Sequence, residues 1–455
     1  MIHRYKLGGL NIVLDVCSGS VHVVDEVAYD IIGMYEESTR AEICAVMLEK
    51  YAGRGDVTEA DILDCCGQIG QLKESGKLFA PDTFEPIAGA LKQKSANVVK
   101  ALCLHVAHTC NLNCAYCFAS QGKYHGDRAV MSFEVGRQAL DFLIEHSGSR
   151  RNLEVDFFGG EPLMAMDTVK KTVEYARSIE EEHNKCFRFT ITTNGVLLDD
   201  ENIEYINREM SNAVLSIDGR KEVNDDLRPT VNGKGSYDVI VPKFQKLIEG
   251  RGTKDYYLRG TFTRFHQDFA EDVKALASIG RNISVEPVVG KEEDPYALQE
   301  ADLPALKAEY ERLAEYIRDH PETNFFHFNV DLAQGPCVIK RLRGCGAGCE
   351  YVAITPEGDI YPCHQFVGNE DYKLGSLYDG TFDQELSGRF AGLNIYTREE
   401  CRDCWARFYC SGGCSASNLL VNGDIKKPHR VGCELERKRL ECAIALRAIA
   451  AGMAE

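Results

Sequence analysis

Apolar and polar residues alternate in two patterns along the middle of the chain. One repeats every second residue over short runs, as in ALCLHVA at residues 101–107, and predicts strands. The other repeats every three or four residues, as in FEVGRQALDFLIEH, and predicts helices between those strands. This alternation favours a parallel sheet, so six units predict an α/β fold: a partial (β/α)6 barrel with working loops at the carboxyl ends of its strands. The predicted strands cover residues 101–107, 153–159, 187–193, 213–218, 257–263 and 283–289.

The first 85 residues form a different pattern. HRYKL, NIVLDV and SVHVV predict three short strands, and three amphipathic helical segments follow them. We therefore expect a small, separate, winged-helix-like unit over residues 1–85. Its charge argues against DNA binding, because it holds 15 acidic residues against 7 basic ones.

A polar stretch at residues 87–100 reads as a linker into the barrel, which we place at residues 86–300. The remaining chain, residues 301–455, begins with a helical segment and continues into a Cys- and Gly-rich tail. Few regular elements are evident in this tail. We expect metal clusters rather than a large apolar core to hold it together.

The composition restricts the class of protein further. A chain of 455 residues exceeds the usual size of one hydrophobic core, and the net charge of −18 argues against a nucleic-acid partner. The sequence shows no signal peptide and no apolar run long enough to cross a bilayer, which predicts a cytoplasmic protein without a membrane partner. In that compartment, 19 cysteines indicate metal ligation or redox chemistry rather than disulfides.

Three cysteines follow the first predicted barrel strand, in CNLNCAYC: Cys110, Cys114 and Cys117. A structural zinc site normally has four protein ligands. Three thiolates can instead bind three irons of a [4Fe–4S] cluster and leave the fourth iron open. A zinc site completed by His105 or His108 is the alternative.

This C-x3-C-x2-C spacing, with GGEP at residues 159–162, TTNG at 192–195 and SIDG at 216–219, resembles the radical S-adenosylmethionine (radical SAM) superfamily. The resemblance implies that S-adenosylmethionine binds the open iron and is cleaved to a 5′-deoxyadenosyl radical. It also implies that Glu161 receives the amino group of the cosubstrate, that Ser216 contacts its ribose or carboxylate side, and that Arg228 pairs with its carboxylate. It assigns no catalytic side chain. The implied cosubstrate contacts are Tyr116, Phe118, Gly159, Gly160, Glu161, Thr193, Asn194, Ser216, Asp218 and Arg228.

The tail carries seven further cysteines whose spacing resembles the SPASM extension, which binds two auxiliary [4Fe–4S] clusters. With the first motif this implies three [4Fe–4S] clusters; a pair of zinc ribbons is the alternative. The resemblance assigns Cys345, Cys363 and Cys414 to an inner cluster, and Cys401, Cys404, Cys410 and Cys433 to an outer one.

From HRYKLGGLNIVLDV through YPCHQFVG to CWARFYCSGGC, the chain resembles the thioether-forming maturases of peptides with six cysteines in forty-five residues (SCIFF). In these enzymes, which make sactipeptide- or ranthipeptide-type links, the radical removes an α-hydrogen and a precursor cysteine sulfur closes onto that carbon. The N-terminal unit is expected to bind the leader of a Cys-rich precursor by adding a strand to its sheet edge. The resemblance also implies a flavodoxin- or ferredoxin-type electron donor.

Two other functions remain open at this point. An anaerobic sulfatase-maturating enzyme would oxidise Cys or Ser to formylglycine, but such enzymes usually carry Asp where this chain has His364. A non-catalytic, DNA-binding iron–sulfur sensor needs a basic surface and no complete cosubstrate site. The sequence does not assign Cys337, nor does it decide whether Cys349 closes the inner cluster. Four other histidines are interpreted as structural or solvated: His3, His22, His266 and His429.

Overall fold

The structure is a computed structural model that describes residues 1–89, 98–332 and 342–453. Its N-terminal part is an antiparallel sheet in the order β1–β2–β3, followed by three helices. Thr39 and Thr58 begin the second and third helices with reciprocal capping boxes. Three strands followed by three helices agree with the sequence pattern. Their bounds are β1 Ile2–Leu7, β2 Leu10–Asp15, β3 Val21–Val24, α1 Glu26–Met34, α2 Arg40–Lys50 and α3 Glu59–Glu74.

Six parallel strands follow and lie side by side in sequence order. The first, β4, is buried at all eight positions, as expected of a strand covered on both faces. This sheet confirms the predicted α/β class. Its strands are β4 Ala101–His108, β6 Asn152–Gly159, β7 Cys186–Thr193, β8 Asn212–Ser216, β9 Asp255–Phe262 and β10 Asn282–Pro287, with short β5 Ala129–Val130 on β4 and β11 Asn324–Phe325 on β10. The helices are α4 Phe133–His146, α5 Met166–Ile179, α6 Asp200–Glu209, α7 Lys221–Leu227, α8 Tyr237–Glu249, α9 Phe269–Ala277 and α10 Leu303–Asp319.

The tail is more regular than we expected. Its strand β12 pairs in parallel with the outer edge of β4, so the tail extends the barrel sheet. Val352 and Ile354 of β12 are fully buried and continuous with the barrel core, which corrects the expectation of a tail with few elements and no large core. The tail elements are β12 Tyr351–Ile354, β13 Asp359–Tyr361, β14 Gly375–Ser376, β15 Thr381–Phe382, α11 Gln384–Ala391, α12 Glu399–Arg402, α13 Arg407–Cys410, α14 Ser415–Asn422 and α15 Arg430–Ala450.

The N-terminal sheet is covered on both faces. Successive residues of a strand point to opposite faces, so Val13 packs against helices α1–α3 while Ile12 and Leu14 face the other way. That second face joins an apolar cluster with Phe408 and Ile444 of the tail. The unit is therefore not separate, because it shares a core with the tail.

The domain boundaries after residues 85 and 300 remain predictions. Residues 90–97 of the predicted linker and Cys337 lie outside the described residues. Within the described ranges, no helix combines the length and apolar character needed to span a bilayer.

Candidate active site at the carboxyl ends of the barrel strands

The loops that follow the first four barrel strands surround a cavity of about 460 Å³, here called the main cavity. The carboxyl ends of parallel strands lie at one edge of a sheet, which brings sequence-distant motifs together. Asp218 alone among the predicted contacts lies behind the wall of this cavity, with its side chain fully buried. The predicted residues that line it are Cys110, Cys114, Tyr116, Cys117, Phe118, Gly159, Gly160, Glu161, Thr193, Asn194, Ser216 and Arg228.

Gly159 and Gly160 allow the loop after β6 to pack directly against the cysteine loop after β4. The Gly160 amide donates to the Ala107 carbonyl at 2.7 Å, and the Glu161 amide donates to the Thr109 carbonyl at 2.9 Å. A Cβ on Gly159 would lie 2.4 Å from the Ala107 oxygen, and one on Gly160 would lie 2.2 Å from the Thr109 oxygen. Any side chain at either position would therefore push GGEP away from the cysteine loop.

Glu161 connects the second and third loops. Its Oε1 accepts hydrogen bonds from Thr193 Oγ1 at 2.7 Å and from the Leu163 amide at 3.1 Å, and its Oε2 accepts from the Asn194 amide at 2.8 Å. Burial raises the pKa of Glu161, while these hydrogen bonds oppose the rise. Oε2 keeps a free acceptor position beside the cavity, as an amino-group ligand requires.

Tyr116, Asp218 and Arg228 form a buried network at the cavity wall. The Tyr116 hydroxyl donates to the Asp218 carboxylate at 2.7–2.8 Å and accepts from Arg228 Nη1 at 2.9 Å. Arg228 Nε is buried and has no hydrogen-bond partner in the described part of the chain. A buried guanidinium with an unmet donor fits a carboxylate ligand. The sequence predicts Tyr116 only as a cosubstrate contact, and its bridge between Asp218 and Arg228 is an additional finding.

The three thiols of the first loop line the main cavity together, as ligands of one iron–sulfur cluster would. Burial raises the pKa of Cys110 to about 11 and that of Cys114 to about 12. The free energy of metal binding would therefore have to drive deprotonation of these thiols. Across the described ranges, no three Cys, His or acidic side chains converge on one ion position. Cluster thiolates bind different irons and need no such convergence.

The histidines of the zinc alternative bond to each other instead. His105 Nδ1 lies 3.1 Å from His108 Nε2, and both rings pack on Tyr124. Neither histidine lines the main cavity with the three cysteines, which favours a cluster over a zinc site at this loop.

Charged residues on β9, β10 and α15 form the opposite wall of the main cavity. Arg259 Nη2 donates to Glu286 Oε2 at 2.8 Å, and Arg439 bonds to Glu436. Burial would raise the pKa of Glu286, but Arg259, His327 and Arg439 lower it to about 2. Sequence reasoning missed this wall, although charges inside the apolar runs YLRGTFT and ISVEPVV were a usable signal.

His364 and Cys414 bring the tail into the same cavity. The His364 ring packs on Phe158 at 4.9 Å and on Phe118 at 5.6 Å between ring centroids. Burial lowers the pKa of His364 to about 4, so its imidazole is neutral at neutral pH. His364, which stands where sulfatase-maturating enzymes usually carry Asp, is thus part of the cavity wall.

The structure groups the tail cysteines into the two predicted sets. Cys401, Cys404, Cys410 and Cys433 line one cavity of about 190 Å³, which we call the outer site. These four cysteines come together although 32 positions separate the first of them from the last.

Cys345, Cys363 and Cys414, called the inner site, also lie close together. Burial, followed by the neighbouring Cys414 and Cys345 thiols, raises the pKa of Cys363. Cys349 is buried nearby, and its Sγ donates to the Gly346 carbonyl at 3.3 Å. The donor sets at all three positions are compatible with iron–sulfur clusters, whose ligation stays a proposal.

Comparisons with known proteins identify a domain in the barrel and another in the tail. Residues 104–258 match the family model of the radical SAM superfamily, and residues 345–405 match that of the SPASM iron–sulfur cluster-binding domain. The chain thus contains a radical SAM domain followed by a SPASM domain. Together with its curated relatives, these matches support a radical SAM maturase with a SPASM domain.

Three curated relatives illustrate that group. The radical SAM cyclopropyl synthase TigE of Paramaledivibacter caminithermalis is 22% identical over 74% of this chain and 72% of its own length. The mycofactocin maturase MftC of Mycolicibacterium smegmatis is 26% identical over 76% of this chain and 86% of its own. A cysteine-type anaerobic sulfatase-maturating enzyme of Clostridium perfringens is 25% identical over 67% and 85%.

Two solved structures share the fold. That of anSMEcpe with bound AdoMet superposes with a TM-score of 0.63 at 18% identity and covers 77% of this chain and 99% of its own. That of SuiB from Streptococcus suis, bound to S-adenosylmethionine, has a TM-score of 0.54 at 18% identity and covers 94% of this chain and 98% of its own. The match to SuiB therefore includes more of this chain.

Proposed function

We propose that the protein is a radical SAM peptide maturase that installs thioether links between a cysteine sulfur and an α-carbon of a ribosomally made, Cys-rich precursor. One observation carries the proposal: the cosubstrate motifs, a cluster-type cysteine loop and the tail residues His364 and Cys414 line one cavity. The site of radical generation and the inner site would thus share one cavity, as a reaction at sulfur requires.

The proposed cofactors are S-adenosylmethionine and three [4Fe–4S] clusters. When they are bound, the cosubstrate, cleaved with one electron from a flavodoxin- or ferredoxin-type donor, would accept a hydrogen atom, and an auxiliary cluster would accept the remaining electron. The peptide would lose one hydrogen from carbon and one proton from the thiol, and would gain one S–C bond. This balance is a two-electron oxidation of the peptide.

The residues of this chain would bind and shield the reactants. Arg228, fixed by Tyr116, would orient the cosubstrate carboxylate, and Glu161 Oε2 would accept from its amino group. Phe118 and Phe158, with the neutral His364 ring, would cover the reacting atoms with apolar surface and keep water away.

The N-terminal sheet would bind the precursor leader. Among described residues, both outer strands pair only with β2. Strand β1, however, faces α15, since the Tyr5 hydroxyl donates to the Glu441 carbonyl at 2.9 Å. We therefore propose β3, Val21–Val24, as the edge to which a leader adds a strand. SuiB, which shares the fold, has been solved with its precursor peptide SuiA, and this supports precursor binding by this protein.

A direct test uses the anaerobically reconstituted protein, S-adenosylmethionine, dithionite and the small Cys-rich peptide encoded nearest to the gene. We expect 5′-deoxyadenosine and a peptide that has lost two hydrogens per link while keeping all its sulfur, measured by mass spectrometry. Tandem fragmentation would locate the linked carbon. A protein product in which a cysteine side chain has lost its sulfur and become an aldehyde would instead show sulfatase-type maturation.

That second function has its own support, because a sulfatase-maturating enzyme is among the relatives and anSMEcpe shares the barrel and tail fold. The N-terminal unit and His364 favour the thioether reaction. We propose a cytoplasmic location for either function.

A further inference from the structure

The outer site touches the N-terminal sheet directly. Three of its four cysteines lie within residues 401–410, and Trp405 and Arg407 stand between Cys404 and Cys410. Both of these intervening side chains contact the N-terminal unit rather than the barrel. The loop that would bind a cluster is thus also a docking element.

Trp405 stacks on His3 of β1. The two rings lie 3.7 Å apart between centroids with an interplanar angle of 3°. His3 Nε2 also lies 3.0 Å from Glu441 Oε1 on α15, the helix that carries Cys433. One imidazole therefore connects the segment beside Cys404 with the helix that bears the fourth cysteine.

Arg407 makes the second connection and is only 5% exposed. Its Nη2 donates to Asp82 Oδ2 at 3.0 Å and to Cys17 Sγ at 3.5 Å, and its Nη1 donates to the Arg402 carbonyl at 2.6 Å. The Arg407 amide donates to the Cys404 carbonyl at 3.2 Å, so this residue belongs to the turn that sets the direction of Cys404.

An apolar layer lies beneath both contacts. Phe408, which follows Arg407, is fully buried in one cluster with Ile12 and Leu14 of β2, and Cys401 belongs to the same cluster. The N-terminal sheet therefore packs against the backbone that presents the outer thiols.

We propose that the N-terminal sheet is a structural support of the outer site, with Arg407 and Trp405 as positioning residues that Asp82 and His3 hold in place. The inference rests on the proposed cluster binding. Partners that orient metal ligands typically change metal affinity 10- to 100-fold. Because linkage is reciprocal, filling the outer site would in turn strengthen docking of the leader-binding unit.

Iron release from the reconstituted full-length protein tests this support. Holoprotein is mixed with a ferrous chelator, and iron release is followed together with the emission of Trp405, the only tryptophan of the chain. We expect Asp82→Asn and His3→Ala each to speed release of about four irons by about tenfold or more, with a matched recovery of Trp405 emission. The other irons are expected to leave at the wild-type rate.

Two matched controls lie on the same unit. Glu85→Gln removes an exposed ion pair with Arg402, and Arg54→Gln removes an exposed ion pair with Asp56. Equal release from the tests and controls would overturn the support role. If Asp82→Asn yields no folded protein, His3→Ala decides alone. Absence of the four outer irons from wild-type protein would instead overturn the proposed function and the inference together, which separates the two failures.

Discussion

Tyr116 is a bridge between opposite charges, not only an aromatic residue of a motif. Its hydroxyl joins Asp218 to Arg228 in a buried position, and Thr261 adds a backbone donor to the same carboxylate at 3.1 Å. Removing the hydroxyl would leave buried partners with one hydrogen bond fewer each, which costs about 1–3 kcal/mol.

We expect Tyr116→Phe to weaken S-adenosylmethionine binding about tenfold, because Arg228 would lose its orientation. Equilibrium dialysis of the reconstituted protein measures this affinity. Tyr378→Phe is the control, since Tyr378 is 65% exposed and does not line the main cavity. An unchanged dissociation constant for Tyr116→Phe would contradict the role of the bridge.

Cys349 decides whether the inner site is open to a substrate thiol. Cys349 lies outside the seven-cysteine spacing of the tail, so we expect Cys349→Ala to leave iron content and cross-linking unchanged. An open iron could then bind and deprotonate a precursor thiol. Iron analysis and product mass measure the outcome, and loss of about four irons would show that the protein closes this cluster itself.

At this scale the sequence predicted residue types better than contacts. Cys110, Glu161 and Arg228 were recognisable because spacing and strand ends place them at one edge of a parallel sheet. The stacking of His3 on Trp405 was not recognisable, since the two residues are 402 positions apart and nothing local requires them to meet.

The edge of β3 is the element that sets precursor choice in our proposal. If a leader adds a strand there, only every second leader amide faces β3, because hydrogen-bonding groups alternate along a strand. We expect N-methylation at alternate leader positions to weaken binding about tenfold or more, and methylation at the positions between to have little effect. Fluorescence anisotropy measures both series, and equal losses at all positions would exclude strand addition.

The periodicity of single elements was a good guide to the barrel. The six predicted strands agree with β4 and β6–β10 because each keeps an apolar face to the core. The pairing of Tyr351 with Ala101 was beyond such reasoning, since apolar pattern identifies a strand but not a neighbour 250 residues away.

For the whole molecule we expect two separable sets of iron. Replacing Cys110, Cys114 and Cys117 with Ala should lower iron from about twelve to about eight per chain, because the tail sites keep their own ligands. Release of 5′-deoxyadenosine with dithionite should stop, since the cysteines of the first loop line the main cavity beside Arg228 and Glu161. Undiminished release, or zinc in place of iron, would contradict the assignment.

Strand β12 has a consequence for any attempt to divide this protein. A fragment that ends before residue 345 would expose the backbone edge of β4 at Ala101–Leu104, where every residue is apolar and buried. Uncovered edges of this kind recruit strands from other molecules. Such a fragment is therefore expected to aggregate, visible as high-mass species in light scattering, whereas the full chain stays monodisperse. In evolution, the barrel and the tail would accordingly be transferred between proteins together, as one unit.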